Sequence, residues 1–202
     1  MTEESIRLAE QALAQADPLL GALIARQQIS LPESRGDYFA SLVRSIIGQQ
    51  VSVAAASAIA GRFLEQTAMD PVRAVALTDE QIKAIGLSKQ KANYIRDLAQ
   101  HFVDDPCVYN HLEALSDDAV IADLTAVKGI GAWTAQMFLM FTLARLDVFA
   151  ADDVGLQRAI MRIYGHTVLP SRNELEALAE QWTPYRTVAS WHLWHSLDNS
   201  PV

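Results

Sequence analysis

The chain has 202 residues, of which 50% are hydrophobic and 20% charged, and 24 acidic against 16 basic side chains give a net charge of −8. This composition supports one packed domain, or two lobes sharing a core, and excludes a disordered chain. The acidic balance also excludes the broad positive surface of a nonspecific polyanion binder. The single cysteine, Cys107, excludes an internal disulfide and a thiolate-rich metal or iron–sulfur site.

The N-terminal residues MTEESIRLAEQ carry acidic side chains and have no apolar core, so the sequence predicts no signal peptide. The longest mostly apolar stretch, residues 132–144, contains Gln136 and is about half the ~20 residues that cross a bilayer. We therefore expect a protein without a membrane partner, in the cytoplasm or, in a eukaryote, in the nucleus.

Apolar residues recur at spacings of three and four along almost the whole chain, and alternating strand-like runs are nearly absent. Helix starts are marked by cap-plus-proline pairs and by capping boxes. The pairs are Asp17-Pro18 and Thr183-Pro184, and the boxes are Thr78-x-x-Gln81 and Ser171-x-x-Glu174. This pattern predicts an all-α protein of roughly ten to twelve short helices.

Residues 124–135, LTAVKGIGAWTA, are typical of a helix end, a two-glycine turn and a helix start. Gly129 can take a positive φ that ends the first helix, Ile130 can enter the core, and Gly131 leaves room for another backbone. The first N–H groups of the next helix then point outward and can bind a phosphate oxygen, so DNA could be bound without a basic surface. An ordinary helix-turn-helix corner explains the two glycines equally well.

Two carboxylates, Asp152 and Asp153, lie between apolar segments at the start of a predicted helix. The commonest role of an aspartate there is the helix N-cap, which at least one of the two should fill. The other can then face elsewhere. A carboxylate kept ionised in a dry cleft can stabilise a developing positive charge or accept a proton from water.

Four blocks in order, from about residue 38 to 195, resemble the helix-hairpin-helix DNA glycosylase superfamily, and in particular its 3-methyladenine DNA glycosylase II branch. They are SIIGQQVS at 45–52, GLSxxKAxYI at 86–95, the hairpin followed by DVFxxDD at 147–153, and WxPYRxxAxxxxW at 182–194. The resemblance implies the glycosylase fold, with two helical lobes and the active-site cleft between them. It places the central lobe at 35–144 and the second lobe at 1–34 plus 145–202.

The resemblance implies that Asp153 is the catalytic residue, because Asp153 lies five residues before Arg158 as the family's aspartate lies before its arginine. Asp152 is then the better candidate for the structural cap. Gln50 matches the wedge that fills the space left by a flipped base, with Gln49 beside it.

Three residues, Trp133, Trp194 and Met137, match positions of the family's base pocket, and Met137 replaces a tyrosine of some relatives. Aromatic faces attract a cationic alkylated purine by up to ~2 kcal/mol when desolvated. Core packing is the alternative for both tryptophans, and it is the expected role of Trp182 and Trp191. Trp133 also takes the place of the lysine of bifunctional relatives. Without that amine no Schiff base forms, which implies a monofunctional hydrolase.

The hairpin is expected to contact the DNA backbone. Its expected contact residues are Gly129, Gly131, Thr134 and Lys128, with Lys89, Lys91 and Arg96 as further candidates. The five histidines lack metal-ligand spacing, so no catalytic metal and no cofactor are expected, although the resemblance allows a monovalent cation at the hairpin carbonyls. The expected partner is double-stranded DNA with alkylated bases, bound by a monomer.

Two other function classes stay open. A noncatalytic helix-hairpin-helix module would bind DNA or recognise damage without excising a base, so turnover on methylated DNA separates it from the enzyme. A helical protein-interaction domain would show no salt-dependent binding to duplex DNA.

Overall fold

The computed structural model describes residues 2–27 and 36–198, and within these ranges every regular element is helical. In chain order the helices are α1 (Glu3–Ala16), α2 (Pro18–Ile24), α3 (Tyr38–Gly48), α4 (Val53–Thr67), α5 (Pro71–Val75), α6 (Asp79–Ile85), α7 (Lys89–Asp104), a 3₁₀ turn (Asn110–Ala114), α8 (Asp117–Thr125), α9 (Ala132–Phe141), α10 (Val154–Ile163), α11 (Arg172–Glu180) and α12 (Arg186–Asp198). The prediction of an all-α protein is confirmed. None of these helices is both long and apolar enough to cross a bilayer.

The described residues divide into two compact units. We call residues 2–27 with 139–198 the terminal unit and residues 36–138 the central unit. The first predicted lobe boundary, between 34 and 35, lies outside the described residues. The second division falls after residue 138, within α9, and not after residue 144.

In the terminal unit, α12 packs against α1, α2 and α10. Asp17 is the N-cap of α2 and accepts its Leu19 and Leu20 amides, as the Asp17-Pro18 pair predicts. The same buried carboxylate accepts the indole N–H of Trp182 at 2.9 Å and the hydroxyl of Tyr164. Burial and the hydrogen bond to Asp17 raise the pKa of the Tyr164 hydroxyl. One cap thus also holds the fully buried Trp182 in the core, as expected.

The buried histidine of α12, His192, is a structural residue. Its Nδ1 lies 2.9 Å from the Gln27 side chain and its Nε2 lies 3.1 Å from Glu10. Burial, and then the neighbouring charge of His195, lowers the pKa of His192 to about 4. The imidazole is therefore neutral near pH 7. No group of three or more His, Cys, Asp or Glu side chains within the described ranges could hold a metal ion.

The predicted helix start at Thr183-Pro184 is wrong, because these two residues lie in a turn and α12 begins at Arg186. The first amides of α12 are satisfied by a distant segment. The amide of Arg186 donates to the Asp147 carboxylate at 3.3 Å, and the amide of Thr187 donates to the Leu146 carbonyl at 2.9 Å. A cap supplied by residues about forty positions earlier in the chain leaves no local sequence signal.

In the central unit, α7 packs against α3 and α5, while α4 packs against α3, α5 and α6. The predicted capping box of α6 is present, since the side chains of Thr78 and Gln81 each accept the other's backbone N–H. Gly86 ends this helix in the left-handed conformation, at φ 88°. The short α6–α7 connection that results brings the first turn of α7 beside the loop that follows α3.

Candidate active site

The carboxylate of Asp153 is held by two donors that converge on one oxygen. Asp153 is the N-cap of α10, and its Oδ1 accepts the Leu156 amide at 2.7 Å. The same Oδ1 accepts the indole N–H of Trp194, on α12, at 2.8 Å. Two donors at one atom fix the orientation of the carboxylate. An exposed aspartate without such donors would rotate freely.

The expectation that Asp152 is the cap is wrong. Because α10 begins at Val154, the side chain directly before the helix is that of Asp153, and only it reaches the third amide. Asp152 instead forms an ion pair with Arg172 at 2.8 Å between exposed side chains. The cap and the predicted catalytic residue are therefore the same aspartate.

The half-buried Trp194 packs within an aromatic cluster of the terminal unit. Its ring centroid lies 5.9 Å from that of Phe141 and 6.2 Å from that of Trp191, which it meets edge to face. This packing fixes the indole while its N–H points at Asp153. The contact between Trp194 and the carboxylate was not predicted from the sequence.

Gly155, in the first turn of α10, also has a role that the sequence analysis missed. A Cβ on Gly155 would lie 2.9 Å from Oδ1 of Asp153 and 3.1 Å from the Trp194 ring. A side chain there would separate the indole from the carboxylate. The available signal was a glycine, a poor helix former, in the first turn of a helix directly after two aspartates.

The hairpin of the central unit connects α8 to α9 as predicted. Gly129 has φ 85°, and a Cβ on it would lie 2.2 Å from the Tyr94 ring. Ile130 is buried, whereas a Cβ on Gly131 would meet nothing within 4 Å. At the start of α9 the Ala135 amide donates to the Gly131 carbonyl, which places the first turn of this helix at the open glycine.

The remaining predicted hairpin and pocket residues differ in exposure. Trp133 is 40% exposed, so core packing does not explain it. Thr134 and Met137 are buried, at 3% and 8% exposed, so Thr134 has only its backbone to offer a phosphate. Lys128 is exposed and pairs with Asp97 at 3.2 Å.

The predicted wedge loop lies between the end of α3 and the start of α4. Gln50 is exposed and has a positive φ of 57°. Gln49 donates its side-chain amide to the Gly129 carbonyl at 2.8 Å, so the structure brings the loop and the hairpin together within the central unit.

Two cations expected at phosphates are used inside the fold. The Lys91 ammonium donates to the Ile47 and Gln49 carbonyls, and Arg96 donates to the Leu77 carbonyl. Two of the three N–H groups of Lys91 are thus used within the central unit, and its contact with a phosphate stays a prediction. In the terminal unit, the Arg186 guanidinium donates to both carboxylate oxygens of Asp147.

Three hairpin carbonyls, the candidate ligands of the monovalent cation that the resemblance allows, accept hydrogen bonds within the protein. Val127 accepts the Ile130 amide, Gly129 accepts Gln49, and Gly131 accepts the Ala135 amide. The cation stays a prediction, and no step of the mechanism depends on it.

The chain matches known proteins over most of its length. Residues 43–185 match the model of the "HhH-GPD superfamily base excision DNA repair protein" family. The chain is 30% identical over 162 residues to the "Alkylbase DNA glycosidase-like protein mag2" of Schizosaccharomyces pombe, covering 77% of this chain and 76% of that protein. Against four of its curated relatives it spans between 58% and 76% of their length.

Two solved structures are similar in fold. A DNA-3-methyladenine glycosidase from Bacillus halodurans superposes with a TM-score of 0.78 at 38% identity, covering 93% of this chain and 88% of the other. The 3-methyladenine DNA glycosylase Mag1 of S. pombe, in complex with abasic DNA, superposes with a TM-score of 0.84 at 26% identity, covering 95% and 97%. The predicted helix-hairpin-helix glycosylase fold is thereby confirmed.

Proposed function

Because the chain belongs to the HhH-GPD superfamily of base excision DNA repair proteins, we propose that it is a monofunctional DNA glycosylase that hydrolyses the N-glycosidic bond of alkylated purines. The observation that carries this proposal is the Asp153 carboxylate, oriented by an indole N–H and a helix amide at the start of α10. An aspartate needed only as a cap would not require a tryptophan 41 residues away as its second donor.

Binding begins at the hairpin. The open space at Gly131 and the first amides of α9 suit a phosphate oxygen, because the start of a helix carries partial positive charge. A protein with a net charge of −8 needs such backbone donors to bind DNA. Gln50, exposed in its loop, is the residue we assign to fill the stack when the damaged nucleotide rotates out.

The chemical step needs a stabilised sugar cation and a water molecule. An alkylated purine such as 3-methyladenine or 7-methylguanine carries positive charge, so it takes the C1′–N electron pair and leaves neutral without a general acid. The Asp153 carboxylate stabilises the oxocarbenium-like sugar and orients the water, whose oxygen bonds to C1′ and whose proton passes to the carboxylate or solvent.

Selection of the base is assigned to aromatic and apolar side chains. We assign Trp194, Trp133 and Met137 to the base pocket, as the resemblance implies. An indole face favours a cationic purine over a neutral one by up to ~2 kcal/mol in a dry site. Since Trp133 replaces the lysine of bifunctional relatives, the product is an intact strand with an abasic site.

The test is base release from duplex DNA treated with dimethyl sulfate, with the released bases identified by chromatography. We expect free 3-methyladenine and 7-methylguanine, strands that break only after alkali, and no covalent adduct after borohydride. Binding to abasic duplex without base release would favour the noncatalytic module, and a borohydride adduct would contradict the monofunctional assignment. We further propose that the protein acts as a monomer, in the cytoplasm or, in a eukaryote, in the nucleus.

Replacing Gly155 with alanine should lower the single-turnover rate of base release by roughly 10- to 100-fold, because the new methyl group displaces the indole from the carboxylate. The free energy of unfolding should change by less than about 1 kcal/mol. Alanine is a better helix former than glycine, and this gain offsets part of the cost of displacing Trp194. The matched control is Gly61→Ala in α4, where a Cβ meets nothing within 4 Å. Equal rates for Gly155→Ala and Gly61→Ala would show that the Trp194 contact does not matter for the reaction.

A further inference from the structure

The wedge loop holds one residue in an unfavourable backbone conformation. Gln50 is not a glycine, yet its φ is 57°. A left-handed residue with a side chain costs about 1–2 kcal/mol, and such residues persist only where their surroundings hold them. Gln50 is exposed, so what holds it must act through its neighbours.

The neighbour on the N-terminal side is held by Lys91, in the first turn of α7. The Lys91 ammonium donates to the Ile47 carbonyl at 2.7 Å and to the Gln49 carbonyl at 2.6 Å. The last carbonyls of a helix have no partner within the helix, and the end of α3 obtains one from this cation. Burial lowers the pKa of Lys91, whereas the two carbonyl bonds favour its charged form.

The Gln49 side chain ties the same loop to the hairpin. Its amide reaches the Gly129 carbonyl, 80 residues away. Gly129 in turn has no room for a Cβ because the ring of Tyr94 lies against it, and Tyr94 is one turn after Lys91 on α7. The loop, α7 and the hairpin are therefore linked through Gln49, the residue before Gln50, whose carbonyl accepts Lys91 and whose side chain binds Gly129.

We propose that Lys91 is a positioning residue of the wedge: by holding the carbonyls of Ile47 and Gln49, its ammonium keeps Gln50 outward in the conformation from which it enters the base stack. This inference rests on the proposed function. Without the ammonium, the two carbonyls turn to water and Gln50 relaxes toward a right-handed backbone, which withdraws its side chain. Lys91 then acts on base extrusion and not on the bond-breaking step.

The test compares two duplexes that differ in how much the wedge contributes. Each carries one 7-methylguanine, in one duplex opposite cytosine and in the other opposite a tetrahydrofuran abasic analogue, where there is no pairing to break. Single-turnover base release is measured for the wild-type protein, Lys91→Met, Gln50→Ala and the double variant. Lys83→Met, which removes an exposed charge on α6, is the matched control. Lys91→Gln, which keeps neutral N–H donors, replaces Lys91→Met if the latter does not fold.

We expect Lys91→Met to slow release about tenfold from the paired duplex and less than threefold from the unpaired one, because only the first requires a base pair to be opened. The double variant should be no slower than the slower single variant, since Lys91 acts only by positioning Gln50 and has nothing to position once that side chain is removed. Equal losses on both duplexes, or losses that multiply, would overturn the positioning role. If the wild-type protein releases no base from either duplex, the proposed function itself fails.

Discussion

Replacing Asp153 with asparagine should reduce the single-turnover rate of methylated-purine release by roughly 10³-fold while leaving the fold intact. The asparagine carbonyl can accept the same two hydrogen bonds from Leu156 and Trp194 that Oδ1 of Asp153 now accepts. Asparagine is also as good an N-cap as aspartate. The substitution therefore removes the negative charge that stabilises the sugar cation while keeping these two hydrogen bonds.

The measurement pairs excision with binding. Single-turnover release from a 7-methylguanine duplex should fall to near background, whereas fluorescence anisotropy with a tetrahydrofuran duplex should give an affinity close to that of the wild type. Asp153→Ala is the matched control for the structural role, because it also loses the cap of α10 and should be about 1 kcal/mol less stable. An asparagine variant that keeps more than a tenth of the wild-type rate would remove Asp153 from the mechanism.

Replacing Gly129 with alanine should destabilise the protein by about 3 kcal/mol or more. A left-handed alanine costs about 1–2 kcal/mol relative to glycine, and overpacking in a tight contact adds roughly 1–3 kcal/mol. The overpacking arises because the Cβ would lie 2.2 Å from the Tyr94 ring, which must move. Moving that ring also disturbs the hairpin carbonyl that Gln49 binds.

Gly131→Ala is the matched control, two residues along the same turn. Its Cβ would meet nothing within 4 Å, so thermal unfolding should show a change within about 0.5 kcal/mol. Its affinity for abasic duplex should nevertheless fall, because the methyl group projects into the space assigned to the phosphate. If the two variants lost stability equally, or if Gly131→Ala bound DNA like the wild type, the division of roles between the two glycines would be wrong.

The helical character of the chain and several of its helix ends follow from interactions within a few residues. The box of Thr78 and Gln81 and the proline after Asp17 were readable because each cap bonds a backbone amide within three residues of itself. The hairpin glycines were readable for the same reason. The resemblance added the order of the blocks, which singled out Asp153 and the loop at Gln50.

Two predictions missed partners that are distant in sequence. The start of α12 was placed at Thr183-Pro184 because a local pair marks helix starts, yet its first amides bind Asp147 and Leu146. Lys91 was expected at a phosphate, because a lysine is usually exposed, yet its ammonium binds carbonyls more than forty residues earlier. Neither partner leaves a periodic signal around the residue itself.

Local sequence thus determines that this protein is a set of short capped helices, with a two-glycine turn that leaves backbone amides at the start of α9 and a carboxylate at the start of α10. Only the packing of the helices decides that Trp194 bonds Asp153 across 41 residues, that Gly155 must lack a side chain there, and that Lys91 holds the loop of Gln50. The physical reason is the distance along the chain over which each interaction acts. Capping and helix formation act within one turn of backbone, whereas these contacts exist only after distant segments have paid the entropy of coming together.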